Sequence, residues 1–168
     1  MSDQLAIIAS MSGLTKPGAV QRLQDELLKM SQPDIVTTHV FKPGIYERTI
    51  TIPPWTVLTG AEHKTSYKVK LEKGSIAVNL DDGVVVLHAP CEFDAPAGVQ
   101  RVGCVFDSEV VWTDIYENAD DCEDIDMLED RICIIPVCGL GDSRIRIALK
   151  NKALLLNQTE FVPVCSGN

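Results

Sequence analysis

Four short segments decide the fold of this chain: ITIPPWTVLTG at 50–60, GSIAV at 74–78, DDGVVVL at 81–87 and PAGVQRVG at 96–103. Each apolar run is brief and is bounded by glycine, proline or aspartate, which is typical of strands joined by tight turns. Asp82-Gly83 is the clearest hairpin signal, because this dipeptide tolerates the positive φ angles of a type I′ turn. The regular alternation of short strands and turns predicts a sandwich or a small barrel.

The flanking segments divide the chain into four parts. Residues 1–34 form an N-terminal segment, in which apolar residues at helical spacing predict a helix at about 19–30. Residues 35–116, which alternate with a period of two, predict the β-barrel. Residues 117–130 predict an exposed acidic connector or a short helix, and residues 131–168 predict a C-terminal extension rich in strands. We expect one mostly β domain with an extension at each end.

Composition limits the possible partners. The 168 residues carry a formal net charge of −9, and no apolar run is long enough to cross a membrane. Phosphate binding draws mainly on clustered Lys and Arg, so we expect no nucleic-acid partner. Because the apolar runs are short, we also expect no membrane partner. The N terminus has no positively charged segment before its short apolar run, which predicts a cytoplasmic location.

Neither the cysteines nor the acidic run matches a metal site. The six cysteines show no CxxC pair and no Cys/His ligand spacing, so we expect reduced, buried thiols rather than a zinc site. No Lys or Arg stands between Arg101 and Arg131, and the acidic residues there lack the central glycine and closing glutamate of an EF-hand loop. A solvated connector is therefore expected.

Two stretches resemble the sequence motifs of the cupin superfamily. Counting back from Gly74, the glutamate position of the first cupin motif falls on Tyr67, and its two histidine positions fall on Ala61 and His63. The second motif, Pro-x-Gly-x-x-His, is present as PAGVQR at 96–101. One of four ligand positions therefore holds its usual residue. The resemblance implies a cupin-like jelly roll, or double-stranded β-barrel, with an N-terminal helix and a C-terminal strand-rich extension.

A narrower resemblance covers about residues 39–116. The run TGAEHKT at 59–65, with PAGVQRVG at 96–103, is similar to small cupin proteins encoded by tailed bacteriophages. In those relatives a second histidine commonly stands where this chain has Tyr67. The resemblance implies a phage accessory role in the host cytoplasm, or as part of a virion, in a family whose members generally have no assigned reaction. It also implies partners: copies of the same chain or other virion proteins.

Motif position points to His63, Tyr67 and Arg101 as residues at the mouth of the barrel. A catalytic metal needs three or more ligands, so we expect no cofactor; if a divalent metal binds, His63 is the one motif ligand present. An imidazole, a phenol and a guanidinium together suit a carboxylate or a phosphate. The alternative is structural: His63 is a hydrogen-bonded barrel histidine, Tyr67 fills space, and Arg101 neutralises nearby carboxylates.

Three functions follow from these patterns. The favoured hypothesis is a non-enzymatic, phage-type cupin-fold accessory or virion-associated structural protein that acts through oligomerisation. The second is a small metal-dependent cupin enzyme of the dioxygenase or isomerase type. The third is a binding module for a small anionic ligand or a sugar, in which Arg101 and Tyr67 contact the ligand.

Overall fold

The computed structural model describes residues 8–9, 11–15, 18–80, 83–134 and 153–155, the last of these as backbone only. Strands make up most of the regular structure. In chain order they are β1 Val36–Lys42, β2 Ile45–Ile52, β3 Thr56–Thr59, β4 Glu62–His63, β5 Tyr67–Lys73, β6 Ser75–Leu80, β7 Gly83–His88, β8 Cys91–Ala95, β9 Val102–Val105, β10 Val110–Glu117, β11 Cys133–Ile134 and β12 Ala153–Leu155.

Two five-stranded antiparallel sheets face each other. The first sheet has the order β1-β2-β10-β5-β8, and the second has the order β12-β3-β9-β6-β7. Successive strands from β2 to β10 repeatedly cross between the two sheets, which is the double Greek-key pattern of a jelly roll. The predicted mostly β, cupin-like jelly roll is therefore confirmed.

The predicted hairpin joins β6 to β7. Its register pairs Leu80 with Gly83, so two residues, 81 and 82, connect the strands. Those two residues lie outside the described part of the chain. Most of the predicted C-terminal extension also lies outside it, at 135–152 and 156–168. Within the extension, β12 pairs with β3 at the edge of the second sheet.

Within the described residues, two α-helices with defined bounds flank the sheets. Helix α1, Ala19–Leu28, begins after Gly18, whose φ of 74° suits a glycine, and it matches the helix predicted at about 19–30. A 3₁₀ turn, Ser12–Thr15, precedes it. Helix α2, Ile125–Ile132, begins at the end of the acidic segment, where the Asp124 carboxylate accepts a hydrogen bond from the Met127 amide. In the described part of the chain, no helix is both long and apolar enough to cross a membrane.

The hydrophobic core has two parts. The larger part lies between the sheets and includes Tyr46, Val69 and Leu71, none of which is exposed. The smaller part lies between α1 and the outer face of the second sheet, where Leu23 and Leu27 pack with the Val57 and Val102 cluster. Burying each such leucine contributes about 1.5–3 kcal/mol. Because α1 covers that face, β9 is buried on both sides, which explains its continuous apolar sequence.

Helix α2 and β11 close one side of the barrel and hold the strand that carries His63. Cys133 pairs with His63 and Ile134 pairs with Glu62 in a short two-stranded sheet. Next to it, the Lys64 amide donates a 2.6 Å hydrogen bond to the carbonyl of Ile132. These backbone bonds fix β4 relative to the end of α2. The cysteines at 91, 104, 122 and 133 form no disulfide among the described residues.

Candidate functional site

A cavity of about 120 Å³ lies between the two sheets. This space is several times what one water molecule needs, so it accommodates a small organic molecule. Apolar side chains from both sheets form much of its wall. All four positions that correspond to the cupin ligand positions line it: Ala61, His63, Tyr67 and Arg101.

Backbone hydrogen bonds bring the two motif segments together. The Gly98 amide donates a 2.8 Å bond to the carbonyl of His63, and the Gly60 amide donates a 2.9 Å bond to the carbonyl of Arg101. Each bond joins the segment before β5 to the segment before β9. His63 and Arg101, which are far apart in the sequence, therefore reach the same wall of the cavity.

The structure places His63, Tyr67 and Arg101 side by side. His63 and Tyr67 are 5% and 6% exposed, and their rings stack with centroids 4.1 Å apart. Arg101, which is half-buried, lies close enough to Tyr67 to oppose the rise that burial causes in the pKa of its hydroxyl. The residues thus form part of an interior wall rather than an open rim. Their role in ligand binding stays a prediction.

A buried polar network continues from His63. Nε2 of His63 lies 3.0 Å from the Tyr116 hydroxyl, which lies 3.1 Å from Oδ2 of Asp114. Arg48 Nη2 donates to that hydroxyl and to Asp114 Oδ2, at 3.0 Å and 3.2 Å. The Trp112 indole N–H donates to Asp114 Oδ1 at 2.8 Å. Both oxygens of the buried Asp114 are therefore bonded.

Sequence reasoning missed Arg48 and Asp114, although a signal for both was present. Each is a charged residue at an inward-facing position of an alternating strand, next to large aromatic or apolar inward residues such as Tyr46 and Trp112. A charge at such a position needs a partner across the sheet. Register supplies that partner, because Arg48 stands opposite Asp114 in the β2–β10 pair.

Burial controls the protonation states in this region. It lowers the pKa of His63 to about 4; Asp114 opposes this shift, and Arg48 and Arg101 add to it. Burial likewise raises the pKa of the Tyr67 and Tyr116 hydroxyls well above the ordinary value. At neutral pH the imidazole is therefore neutral and both phenols keep their protons.

The lowered pKa of His63 predicts a loss of stability in mild acid. An unfolded histidine titrates near 6.5, whereas His63 in the folded chain titrates at about 4. Between these values the unfolded state binds more protons, so stability falls as the pH drops from about 6.5 to 4, by about 2–3 kcal/mol in total. Urea unfolding at pH 7, 6 and 5 measures this loss.

The control is a pair of histidine variants. His63→Gln is expected to show a weaker decline in stability below pH 6.5 than the wild type. His88→Gln, which changes an exposed histidine, is expected to keep the wild-type pH dependence. Equal declines in the wild type and His63→Gln would contradict the assignment.

Arg101 differs from Arg48 in its partners. Arg48 forms a 3.2 Å ion pair with Asp114, whereas no carboxylate lies within 4 Å of Arg101 in the described residues. The guanidinium instead donates to the Asn79 carbonyl at 3.2 Å and lies 5.6 Å from the centre of the Phe93 ring. Its Nε atom is buried without a hydrogen-bond partner there. Arg101 therefore forms no close ion pair with the described residues, and its interpretation as a counterion for carboxylates farther away stays a prediction.

The residues around the cavity do not fit a divalent metal ion. At the cupin ligand positions Ala61 offers no donor atom and Arg101 places a cation where a histidine is expected. Asp114 already accepts hydrogen bonds from Arg48 and Trp112. Across the described residues, no group of three or more His, Cys, Asp or Glu side chains is placed to hold a metal. A metal site needs about that many ligands.

Comparisons with known proteins bear on the fold. No family model matches the chain, and no curated protein does. Solved structures do match it. The structural neighbours include cupin-domain proteins.

Three of these neighbours illustrate the similarity. A cupin domain from Bordetella pertussis is 22% identical and covers 54% of this chain and 99% of its own, with a TM-score of 0.42. The Cupin_2 domain of an XRE family transcriptional regulator from Enterobacter cloacae is 12% identical, covering 51% and 98%, with a TM-score of 0.45. The DMSP lyase DddQ from Ruegeria pomeroyi is 8% identical, covering 50% and 47%, with a TM-score of 0.45. The neighbours thus include a regulator and an enzyme, and the similarity concerns the fold alone.

Proposed function

We propose that this chain is a metal-independent binding domain for a small organic carboxylate, which Arg101 and Tyr67 hold inside the barrel. One observation carries the proposal. The Arg101 guanidinium lines a cavity with largely apolar walls, yet no carboxylate of the described residues lies within 4 Å of it.

A guanidinium in such surroundings favours an anion from outside the chain. Removal from water is costly for a charge that lacks a counterion, and a ligand carboxylate supplies one. The planar guanidinium matches the two oxygens of a carboxylate, and charge-assisted hydrogen bonds are the stronger kind. Tyr67 adds a second donor, because burial raises the pKa of its hydroxyl and the proton stays in place for the ligand.

Replacement of Arg101 tests this proposal. Titration calorimetry of the full chain with butanoate, hexanoate and benzoate is expected to show binding to the wild type. Arg101→Met is expected to weaken that binding about 30-fold or more, since loss of one partner of a buried charged pair costs about 2–5 kcal/mol. Arg131→Met is the matched control, because Arg131 is exposed and pairs with Asp120 on the surface. Unchanged affinity in Arg101→Met, or no binding of any of the three acids to the wild type, would contradict the proposal.

Association between copies is the second proposal. It rests on Val36 and Val40 of β1, which are 53% and 44% exposed on the edge strand of the first sheet. An apolar edge with unpaired backbone groups favours pairing with another chain. Native mass spectrometry, which reports subunit number, tests this idea. The phage accessory or virion role stays a prediction from sequence resemblance. The metal-dependent enzyme is not favoured, because the residues that line the cavity offer too few metal ligands.

A further inference from the structure

The polar groups of the cavity divide into those already bonded and those still available. In the network of Arg48, Asp114, Tyr116 and Trp112, the hydrogen bonds within the chain engage both Asp114 oxygens and the Tyr116 hydroxyl. A ligand group could bond there only by breaking one of these contacts. Losing a bond inside a buried network costs more than a new bond returns. This region therefore offers little to a polar ligand group.

The available polar atoms gather around Arg101. Arg101 Nε, His63 Nδ1 and Thr59 Oγ1 are buried without hydrogen-bond partners among the described residues, and all three residues line the cavity. Thr59 precedes Gly60, whose amide bonds to the Arg101 carbonyl. His63 stacks on Tyr67, and Arg101 lies close enough to Tyr67 to affect the pKa of its hydroxyl. The Thr37 hydroxyl oxygen, on β1 in the opposite sheet, is another such atom.

The rest of the cavity wall is mainly apolar, but it also includes carboxylate groups, which disfavour a second anion. Ile50, Ile52 and Leu58 are among the apolar residues that line the cavity. The carboxylates of Asp114 and Glu129 also line it, and both residues are buried. Glu129 lies near Tyr46 and Cys133, and its charge helps to raise the pKa of both groups. The Asp114 charge is paired with Arg48, so the carboxylate of Glu129 is the group that would oppose a second ligand carboxylate.

We propose that the ligand is a monocarboxylate with an apolar body. Its carboxylate binds at Arg101 and Tyr67, and its hydrocarbon part lies against the isoleucines and Leu58. Dicarboxylates are rejected by charge. Polyhydroxylated sugar acids are rejected because they carry more hydroxyls than the few available polar atoms can bond, so the remaining hydroxyls would lie against the apolar wall. This inference rests on the proposed function and narrows it to one class of ligand.

Matched pairs of acids test the inference on the full chain. Calorimetry compares butanoate with succinate and hexanoate with adipate, which differ by a second carboxylate at equal carbon number. It also compares hexanoate with gluconate, which adds hydroxyls. Each monocarboxylate with a plain hydrocarbon body is expected to bind at least about 10-fold more tightly than its polar counterpart. Succinate or gluconate binding as tightly as the apolar acid, with the binding lost in Arg101→Met, would overturn this inference and leave the proposed function standing. No binding of any acid would overturn both.

A variant at Glu129 separates charge rejection from packing. Glu129→Gln keeps the shape of the side chain and removes its charge. The ratio of butanoate to succinate affinity is expected to fall at least about 3-fold in this variant, as removal of one like charge favours the second carboxylate. Met127→Gln, a change at an exposed residue on the same helix, is expected to leave the ratio unchanged. A ratio that stays at the wild-type value in Glu129→Gln would contradict the role of charge in selectivity.

Discussion

Replacing Asp114 with alanine is expected to lower the free energy of unfolding by about 3–5 kcal/mol, the usual cost of removing one partner from a buried ion pair. The change leaves the Arg48 guanidinium without its carboxylate and leaves the Trp112 indole N–H without an acceptor. It also removes the group that lies 3.1 Å from the Tyr116 hydroxyl. Urea unfolding at pH 7, followed by tryptophan fluorescence, measures the loss.

Two comparisons make this prediction specific. Glu109→Ala breaks the surface pair of Lys73 and Glu109, whose side chains are 62% and 44% exposed, and is expected to cost less than about 1 kcal/mol. The double variant Arg48→Met, Asp114→Leu removes both charges together and is expected to cost less than Asp114→Ala alone, because no buried charge remains unpaired. A loss below about 1.5 kcal/mol in Asp114→Ala would contradict a buried, strongly coupled pair.

The sequence predicted the barrel well because its signals are local. Alternating residues and turn dipeptides each span a few positions, so the strands between 36 and 117 could be recognised without knowledge of their partners. Motif spacing then brought His63, Tyr67 and Arg101 to one region of the barrel. The partner contacts of Arg48 and Asp114 were not predictable in the same way. Those residues are 66 positions apart, and only the register of β2 against β10 makes them neighbours.

The acidic segment shows how composition can hide a pattern. Its many carboxylates predict an exposed connector, and much of it is exposed. Within α2, however, Leu128 and Ile132 belong to the core, and the buried Glu129 reaches the cavity. The inward residues recur at helical spacing, which is the signal for an amphipathic helix. Of the two alternatives predicted for residues 117–130, a connector or a short helix, the structure contains a short helix at Ile125–Ile132.

Gly74→Ala is expected to cost about 3 kcal/mol of stability, because two unfavourable terms add. The residue has a φ of 83°, a conformation that costs a residue with a Cβ about 1–2 kcal/mol. An added Cβ would also lie 2.4 Å from the carbonyl oxygen of Glu109 and 2.9 Å from Cγ2 of Val110. Overpacking of this kind typically costs about 1–3 kcal/mol more. Thermal or urea unfolding of the variant measures the sum.

Gly98→Ala is the matched control for this prediction. Gly98 has nearly the same φ, 82°, but nothing lies within 4 Å of the position of its added Cβ, so its loss is expected to stay near 1–2 kcal/mol. Equal losses in the two variants would show that the contact with Glu109 does not matter. The two glycines occupy the glycine positions of the two cupin motifs, and both have a positive φ. The motif residues that shape the backbone are thus retained, whereas three of the four that would hold a metal are not. This combination supports the proposal that the barrel binds an anion through Arg101 rather than through a metal.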